Sequence, residues 1–446
     1  METMKLQNKK VVVVGLGKSG MAARKLLLRL GAKVCLYDGN KEADVSGLTE
    51  PVYLGEFPKE KIAELDLAVF SPGVPLDIPL ADLFREAGVP IIGEIELAYM
   101  LEKGAVIGIT GTNGKTTTTT LVGEIMRAHF KEVLVVGNIG TPYTEMVLNS
   151  TKDSVTVAEI SSFQLETVSR FRPNISAILN ITPDHLNRHK TMECYIDTKL
   201  NIGRTQRESD VLVLNYDDEV LRETAKEMPA RIVFFSSRKK LPAGIYLDDN
   251  GDIVYAEENQ VIVNVHDCRL LGLHNYENYM AAVAIALNMN IPVSVIKNVV
   301  EHFAGVEHRI EFVAEKHGVA YYNDSKGTNP DAAIKGIEAM NRKTVLIGGG
   351  YDKKSDFTKW IMSFKGKVKY LILLGETANQ IEKTAVKCGF TDTVRVDTLE
   401  EAVKKAGELA EDGEAVLLSP ACASWDMFQS YEQRGDLFKQ YVNNLE

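Results

Sequence analysis

The chain has 446 residues and a formal net charge of -10, with 45% hydrophobic and 25% charged residues. This length is too great for one compact core, and it predicts two to four domains. The acidic balance argues against a nucleic-acid partner, because phosphate backbones favour a basic surface. The five scattered cysteines include no CxxC pair, which predicts reduced thiols and no zinc site.

No stretch approaches the roughly 18 apolar residues that a membrane span requires. The N-terminus runs into the first predicted strand without the apolar core of a signal peptide. We therefore expect a soluble, cytoplasmic protein without membrane insertion, and we expect a monomer.

Short apolar runs alternate with helical patterns along the whole chain, which predicts α/β units with parallel sheets. The pattern restarts twice: once after a helix near 94–101, and again after the segment 304–311. We therefore predict three domains with bounds 1–95, 96–304 and 305–446. Strands are predicted, in chain order, at 11–14, 33–37, 65–70, 105–109, 132–136, 155–158, 175–179, 211–214, 319–322, 344–347, 370–374 and 415–418, and helices at 19–30 and 275–287.

The strongest local signal is the motif GITGTNGKT, residues 108–116, between a predicted strand and the start of a helix. Glycines allow a tight turn whose N–H groups surround phosphate oxygens. Lys115 is placed to neutralise phosphate charge and Thr116 to bind Mg²⁺. Ile109 occupies the position where the strict P-loop has glycine, so the motif is a variant. A glycine-rich turn without a ligand is the alternative.

A second glycine motif, GLGKSG at residues 15–20, follows the first strand, and Asp38 ends the next strand. By itself this pattern is a dinucleotide-binding fingerprint with its ribose-binding acid. It indicates a nucleotide near the helix N-terminus without saying which one. A nicotinamide dehydrogenase would leave the phosphate loop unexplained, and a structural role for these glycines also stays open.

Three motifs together resemble the Mur ligase family. GITGTNGKTTTT is similar to the ATP loop of that family, including its departure from the strict P-loop. NDSKGTN at 323–329 and LSPACASWDMF at 418–428, which continues to YEQRG at 431–435, resemble the branch that adds D-glutamate. The resemblance implies a Rossmann-like N-terminal UDP-binding domain, a central P-loop ATPase-type α/β domain and a C-terminal Rossmann-like domain.

The reaction that this resemblance implies is the ATP-dependent joining of D-glutamate to UDP-N-acetylmuramoyl-L-alanine through an acyl phosphate, in the synthesis of a peptidoglycan precursor. ADP and phosphate are the other products. Another Mur-type ligase or a folylpolyglutamate-type amide ligase is the alternative. ATP and two Mg²⁺ ions are the implied cofactors.

The resemblance also implies roles for individual residues. The catalytic residues are Lys115, Glu159, His185 and Lys199; of these, Glu159, His185 and a carbamylated Lys199 would hold Mg²⁺ together with Thr116. The residues implied for ATP are Gly111, Thr112, Asn113, Gly114, Lys115, Thr116, Thr117, Asn275, Arg309 and Asp324. Those implied for the UDP substrate are Lys18, Ser19, Asp38, Ser71, Pro72, Gly73 and Asn138. Those implied for D-glutamate are Lys326, Thr328, Lys353, Ser424 and Tyr431.

Some of these residues also have simpler interpretations. Sequence pattern alone predicts that Lys199 is a surface lysine of a helix at 193–205. Glu159 could be a helix-capping acid, Asn138 a turn residue and Asn275 an N-cap. Cys422 is predicted to be a small packed thiol, and His189 to be either packed or exposed, each without a chemical role. Where this chain has Trp425 and Tyr431, relatives often have leucine and phenylalanine.

Overall fold

The computed structural model describes residues 6–138, 140–270 and 272–445. The predicted first domain begins at residue 1, so its first five residues lie outside this range. The chain divides into two compact units. One contains the residues up to 264 together with 277–300, and the other contains 265–276 together with the residues from 301 onward. Two sheets belong to the first unit and a third sheet to the second.

The first sheet has five parallel strands in the order β3-β2-β1-β4-β5. Its central strand, β1, is a run of valines, as expected for a strand that is buried on both faces. Val11 and Val13 belong to one hydrophobic cluster, and Val12 belongs to the cluster on the opposite face. The elements are β1 Lys10–Val14, α1 Lys18–Arg29, β2 Lys33–Asp38, β3 Val52–Leu54, a 3₁₀ helix Lys59–Glu64, β4 Leu67–Phe70, α2 Pro79–Glu86, β5 Ile91–Gly93 and α3 Glu94–Tyr99.

The second sheet has nine strands in the order β14-β13-β12-β11-β10-β9-β6-β8-β7. Its strands are β6 Ala105–Thr110, β7 Val133–Gly137, β8 Val155–Glu159, β9 Ile175–Ile178, β10 Val211–Asn215, β11 Arg231–Ser236, β12 Ile245–Leu247, β13 Asp252–Tyr255 and β14 Gln260–Asn264. The helices of this part of the chain are α4 Lys115–His129, α5 Tyr143–Met146, α6 Ser162–Leu165, α7 Leu186–His189, α8 Met192–Leu200, α9 Glu219–Thr224, α10 Leu273–Asn288 and α11 Val293–His302, with 3₁₀ turns at Val147–Asn149, Ala225–Glu227 and Val265–Asp267.

One hydrophobic cluster connects the first two sheets. It contains Val11 of β1, Leu97 of α3, Val106 of β6 and Tyr143 of α5, all fully or almost fully buried. The helix α3 follows the last strand of the first sheet, and its apolar side chains pack into this shared core. The first two sheets are therefore joined by packing as well as by the chain.

The third sheet has six strands in the order β15-β16-β20-β17-β18-β19. Helices cover both of its faces: Trp360 packs in the cluster on one side and Phe438 in the cluster on the other. The elements are β15 Glu311–Lys316, β16 Val319–Asn323, α12 Pro330–Ala339, β17 Thr344–Gly348, α13 Thr358–Met362, β18 Val368–Leu373, α14 Ala378–Lys387, β19 Thr393–Arg395, α15 Leu399–Leu409, β20 Ala415–Leu418 and α16 Tyr431–Asn443.

The predicted α/β alternation is confirmed, and each predicted strand is found within a few residues of its expected bounds. Two places depart from parallel pairing. The strands β12, β13 and β14 form an antiparallel meander, and β15 pairs antiparallel with β16. Turns at Gly251 and Asn259, both with positive φ, reverse the chain in the meander. Among the described helices, none combines the length and the apolar content needed to cross a bilayer.

Candidate active site

The phosphate loop runs from the end of β6 to the start of α4. Gly114 precedes the helix with φ 82°, a left-handed conformation that favours glycine. A Cβ atom there would come within 2.3 Å of the Asn278 side-chain oxygen, so a larger residue would not fit without movement. The Lys115 ammonium folds back and donates to the carbonyl oxygens of Gly111 at 2.9 Å and Thr112 at 2.8 Å. Thr116 and Thr117 follow in the first turn of α4.

The loop after β9 fixes the shape of the phosphate loop through Asn180. The Asn180 carbonyl oxygen accepts from the Thr112 N–H at 2.9 Å, and its side-chain oxygen accepts from the Asn113 N–H at 2.8 Å. Its amide group donates back to the Asn113 carbonyl at 3.2 Å. Asn180 is the first residue of the polar segment 180–185 that follows a buried strand, a position typical of α/β active sites. No individual role was predicted for it.

Glu159 ends β8, the strand that pairs with β6, and lies in register with Ile109 of that strand. The side chain is 1% exposed. One carboxylate oxygen accepts from the Asn138 amide at 2.9 Å. The other oxygen has no hydrogen-bond partner among the residues that the structure describes. A buried carboxylate oxygen without a protein donor is the kind of group that a hard cation such as Mg²⁺ coordinates, so this site fits the implied metal.

His185 lies beyond β9, which pairs with β6 on the side opposite to β8. Its backbone is left-handed, with φ 52°, and its ring is 4.8 Å from the ring of Phe163, which lies four residues after Glu159. The imidazole is about half exposed. The phosphate loop therefore has Glu159 on one neighbouring strand and the His185 loop on the other. His189 is buried, and its ring contacts the Ser162 hydroxyl at 3.0 Å.

Lys199 lies in α8 and is 1% exposed, so the surface position predicted from pattern alone is wrong. Its ammonium donates to the Gly111 carbonyl at 2.8 Å and lies 4.9 Å from the centre of the Tyr195 ring. Burial lowers the pKa of Lys199 to about 7, and the positive charge of Lys115 acts in the same direction. This burial could not be predicted from sequence periodicity, because α8 is short and its apolar residues do not follow a clear helical pattern.

The residues predicted for the UDP substrate surround the first glycine motif. The Asp38 carboxylate accepts from the Leu16 N–H at 2.8 Å and from the Asn40 N–H at 2.9 Å. The Ser71 hydroxyl donates to the Gly15 carbonyl at 2.8 Å, which ties the loop after β4 to this motif. A cavity of about 990 Å³ opens here, and Gly15, Asp38 and Gly73 are among its lining residues. Pro72 lies between Ser71 and Gly73.

The turn after β7 connects this pocket to Glu159. Lys18 of the first glycine motif donates its ammonium hydrogen to the Gly140 carbonyl oxygen, and Asn138 contacts Glu159 directly. Ser19 follows Lys18 in the first turn of α1. The segment that contains Asn138 is thus held from both the first and the second sheet.

Two carboxylates of α3 bind segments of the second sheet's domain that lie before and after Glu159 in sequence, and neither was predicted to have a role. Glu94 accepts at one oxygen from the backbone N–H of Thr144 at 2.6 Å and from its hydroxyl at 2.9 Å. Its other oxygen has no partner among the described residues, and burial raises the pKa of this carboxyl. Glu96 uses both oxygens, accepting from the N–H groups of Ser169, Arg170 and Phe171. These buried acids stand in an otherwise apolar helix, which is the sequence signal that could have indicated them.

In the second unit, the loops that follow β16 and β20 meet at the buried guanidinium of Arg434, which lies in α16. It donates to the Ser325 hydroxyl at 2.9 Å and carbonyl at 2.8 Å, and to the carbonyls of Cys422 at 3.2 Å and Ala423 at 3.3 Å. Burial lowers the pKa of Arg434 to about 10. This arginine, which the sequence analysis quoted only within a motif, joins the NDSKGTN and LSPACASWDMF segments.

Of the residues predicted for D-glutamate, Lys326, Thr328 and Ser424 lie on these two loops, Tyr431 begins α16, and Lys353 lies in the loop after β17. Lys326 is 5.6 Å from the centre of the Tyr431 ring, and Lys353 is 4.6 Å from the centre of the Trp425 ring. The Tyr431 carbonyl accepts from the Ser325 hydroxyl at 2.8 Å. The Thr328 N–H donates to the Lys326 carbonyl, and Ser424 is buried in the turn that precedes Phe428.

The remaining residues predicted for ATP also belong to the second unit. Asp324 is buried and accepts from the Ser419 hydroxyl at 2.6 Å, and burial raises the pKa of its carboxyl to about 7. Arg309 is exposed. Asn275 lies in the first turn of α10, which begins at Leu273, so it is not the N-cap residue. Cys422 is buried beside Thr377, and burial raises the pKa of its thiol to about 11, as expected for a packed thiol.

Comparison with known proteins identifies the family. Residues 9–93 match the model described as Mur ligase MurD-like, N-terminal domain; residues 109–286 match the Mur ligase middle domain, and residues 308–422 match the Mur ligase, glutamate ligase domain. The chain is 53% identical over 452 residues to UDP-N-acetylmuramoylalanine--D-glutamate ligase of Lachnoclostridium phytofermentans, covering 99% of each chain. The chain belongs to the Mur ligase family.

Other Mur ligases support this assignment. The protein of the same name from Lachnospira eligens is 52% identical, with 99% of this chain and 100% of that protein covered. Among solved structures, the UDP-N-acetylmuramate-alanine ligase of Thermotoga maritima matches with a TM-score of 0.58 at 19% identity, covering 97% of this chain and 99% of that one. At this identity the structural likeness shows the fold alone. The family consists of ATP-dependent amide ligases, so this Mur ligase is an enzyme of that class with N-terminal, middle and C-terminal domains. The exact bounds 1–95, 96–304 and 305–446 stay a prediction.

The two acids of α3 in this Mur ligase give a matched pair of substitutions. In Glu96→Gln, one accepting oxygen becomes an NH₂ group that faces backbone donors. We expect a loss of roughly 1–3 kcal/mol in the free energy of unfolding, because a buried N–H loses its acceptor. In Glu94→Gln, the accepting oxygen is kept, and the amide nitrogen replaces the oxygen that has no partner. We expect a loss of about 1 kcal/mol or less.

Urea unfolding of the full chain, followed by circular dichroism, measures both variants. Glu94→Gln serves as the control, because it makes the same chemical change in the same helix. Equal losses in the two variants would contradict the expectation that the number of accepting oxygens determines the effect.

Proposed function

We propose that this Mur ligase joins the amino group of D-glutamate to the carboxylate of UDP-N-acetylmuramoyl-L-alanine, in the cytoplasm and as a monomer, during synthesis of a peptidoglycan precursor. The observation that carries this proposal is the 53% identity, over 99% of the chain, to a protein named UDP-N-acetylmuramoylalanine--D-glutamate ligase. The match of residues 9–93 to the N-terminal domain of the MurD-like type supports the same substrate.

The proposed chemistry follows from the low reactivity of a carboxylate towards an amine, since the leaving group would be oxide. In the first step, a carboxylate oxygen of the UDP substrate attacks the γ-phosphorus of ATP. The bond from that phosphorus to ADP breaks, and an acyl phosphate forms. In the second step, the amine of D-glutamate attacks the acyl carbon, phosphate leaves, and the amine nitrogen loses a proton.

The first step brings the negative charges of the carboxylate and of the γ-phosphate together. The ammonium of Lys115 and the N–H groups of the phosphate loop are donors that can neutralise this charge as it moves. We assign Glu159, His185, Thr116 and a carbamylated Lys199 as the residues that would hold two Mg²⁺ ions. When bound, such ions shield the phosphate oxygens from the carboxylate. The buried Glu159 oxygen without a partner supports this assignment.

The position of Lys199 supports carbamylation. Forming a carbamate joins a neutral lysine amine to CO₂ and releases one proton. Because burial lowers the pKa of Lys199 to about 7, a substantial fraction of this amine is neutral near pH 7. The carbamate would add a carboxylate beside Gly111, next to the phosphate loop.

The nucleotide-sugar part of the substrate is assigned to the cavity at the first glycine motif. Lys18, Ser19, Asp38 and the segment 71–73 belong to this region, and its volume of about 990 Å³ suits a ligand of that size. We assign Asn138, which contacts Glu159, to the muramoyl-alanine end. Asn275, Arg309 and Asp324 are assigned to ATP.

A substrate panel tests the proposed function. We expect ADP release to require both UDP-N-acetylmuramoyl-L-alanine and D-glutamate. L-Alanine, L-lysine or diaminopimelate in place of D-glutamate should give no release above background. A coupled assay of ADP with each amino acid in turn makes the measurement. Turnover with one of the other amino acids, and indifference to D-glutamate, would assign the chain to another Mur-type ligase.

Lys115→Ala tests the role of the phosphate loop. We expect ADP release to fall by at least about a hundredfold, because the variant lacks a cation at the transferring phosphoryl group. Lys103→Ala, which changes an exposed lysine just before β6, is the control and should keep wild-type activity. Near-normal turnover of Lys115→Ala would remove this lysine from the mechanism.

Lys199→Ala tests the carbamate. We expect activity to be lost and then partly restored by added formate or acetate, whose carboxylate can occupy the place of the carbamate. The wild-type enzyme in the same salts, and the variant in chloride of equal ionic strength, are the controls. Full activity of the variant without added carboxylate would show that Lys199 has no such role.

A further inference from the structure

The one-turn helix α7 follows His185 directly, and the residues on both sides of it have a left-handed backbone. His185 has φ 52° and Lys190 has φ 69°. Residues other than glycine adopt this conformation at a cost, and they keep it only where surrounding contacts enforce it. A helix of four residues has too few hydrogen bonds of its own to do so. Side-chain contacts therefore have to hold the segment 185–190.

Arg188, the third residue of α7, makes such contacts. Its guanidinium donates to both carboxylate oxygens of Glu166, from Nε at 3.0 Å and from Nη2 at 2.6 Å. The two side chains are only 13% and 14% exposed, so solvent screens this ion pair only in part. The guanidinium also lies 5.1 Å from the centre of the Phe163 ring, and the His185 ring lies 4.8 Å from the same ring. Arg188 and His185 thus contact one aromatic side chain.

A third contact of Arg188 reaches the loop 71–78 between β4 and α2, here called the cavity loop. Its Nη2 donates to the carbonyl oxygen of Val74 at 3.0 Å, and Val74 lines the cavity at the first glycine motif. Lys190, at the other end of α7, lies 3.4 Å from the Asp77 carboxylate of the same loop, but both side chains are about two-thirds exposed. An exposed ion pair contributes little. Arg188 therefore provides the stronger of these two connections.

One nitrogen atom of Arg188 makes both of its main connections. Nη2 has two hydrogen atoms, and it donates to the Glu166 carboxylate and to the Val74 carbonyl oxygen. Because the guanidinium is planar and rigid, a shift of Val74 also changes the contacts of Arg188 with Glu166. A series of contacts within the first unit thus leads from the cavity loop through Arg188 to His185.

We propose that Arg188 is a positioning residue that couples the nucleotide cavity to the phosphate site. When a ligand fills the cavity and orders the cavity loop, Arg188 holds α7, and with it His185, in place. This inference rests on the proposed function, in which the UDP part of the substrate occupies the cavity and His185 helps to hold Mg²⁺. The metal site is then completed when the carboxylate substrate is present, which disfavours hydrolysis of ATP in its absence.

Hydrogen exchange of the full chain, followed by mass spectrometry, tests the coupling. UDP in the presence of EDTA, without ATP, can fill the cavity but lacks the muramoyl-alanine part and any bound metal. In the wild type, we expect UDP to slow exchange in the cavity loop and, by at least about fivefold, at the N–H groups of α7. These groups report on the helix itself, because the N–H groups of Arg188 and His189 donate to the His185 carbonyl oxygen.

Arg188→Met removes the charge and the hydrogen bonds while it keeps an unbranched side chain. UDP should still slow exchange in the cavity loop of this variant, but its effect on α7 should disappear. A purely structural role would raise the exchange of α7 in the free protein without removing the response to UDP. Arg204→Met, which changes an exposed arginine paired with Asp197 in the same domain, is the control and should respond as the wild type does.

The ADP-release assay gives a second measurement. Because residues that orient a metal ligand affect metal affinity strongly, we expect Arg188→Met to raise the Mg²⁺ concentration for half-maximal activity by about tenfold. The KM for D-glutamate should stay unchanged, since the residues assigned to that substrate lie in the second unit. Arg188→Lys keeps the charge but not the planar fork, so it should recover only part of the loss.

The outcomes separate this inference from the proposed function, and the wild-type measurement requires no variant to fold. If UDP slows exchange in the cavity loop of the wild type but not in α7, the coupling is wrong and the proposed function stands. A response of α7 that persists in Arg188→Met, or an unchanged Mg²⁺ requirement in that variant, would also overturn the role of Arg188. No effect of UDP on the cavity loop of the wild type would overturn the assignment of the cavity, and this inference with it.

Discussion

Glu159 has one buried carboxylate oxygen without a hydrogen-bond partner among the described residues. Several contacts of the first unit fix the position of this side chain. Leaving a buried polar group unpaired costs about 1–3 kcal/mol, so the surrounding structure has to supply this energy. The register of β8 with β6 fixes the backbone, and Asn138 fixes the other oxygen. Glu94 and Glu96 then hold the segments that follow β7 and α6. A cation at this oxygen would remove the cost, so the unpaired oxygen favours metal binding.

The free-energy cost of burying a charged or polar group also explains how the two lysines at the phosphate loop differ. Lys115 and Lys199 both donate to the Gly111 carbonyl oxygen. Burial disfavours the charged form of Lys199, and the Lys115 ammonium on the same carbonyl repels that charge, so the pKa of Lys199 falls to about 7. Lys115 is the less buried of the two. One lysine is thereby suited to meet phosphate as a cation, and the other is suited to react as a neutral amine.

The fold was largely predictable because a buried parallel strand has a continuous apolar sequence, as at β1 and β6, and because a glycine-rich turn marks where such a strand meets a helix. The antiparallel strands β12–β14 were missed, since they are short and separated by charged turns. At the site, Lys199 looked like a surface residue from its local pattern, and only the family resemblance indicated otherwise. The individual contacts of Asn180, Glu96 and Arg434 were not predicted, because their partners lie far away in sequence and pairing at such distance leaves no periodic signal.

Two lysines of the second unit contact aromatic rings. Lys353 and Lys326 lie over the rings of Trp425 and Tyr431, and they are exposed or half-buried. A ring restrains an ammonium without neutralising it and without accepting its proton, whereas a carboxylate partner would occupy the charge that an anionic substrate needs. Burial favours the neutral amine of Lys199, whereas the ring beside Lys353 contacts its ammonium without supplying a negative charge. The two lysines therefore differ in their electrostatic surroundings, and the difference lies in what the fold packs against each of them.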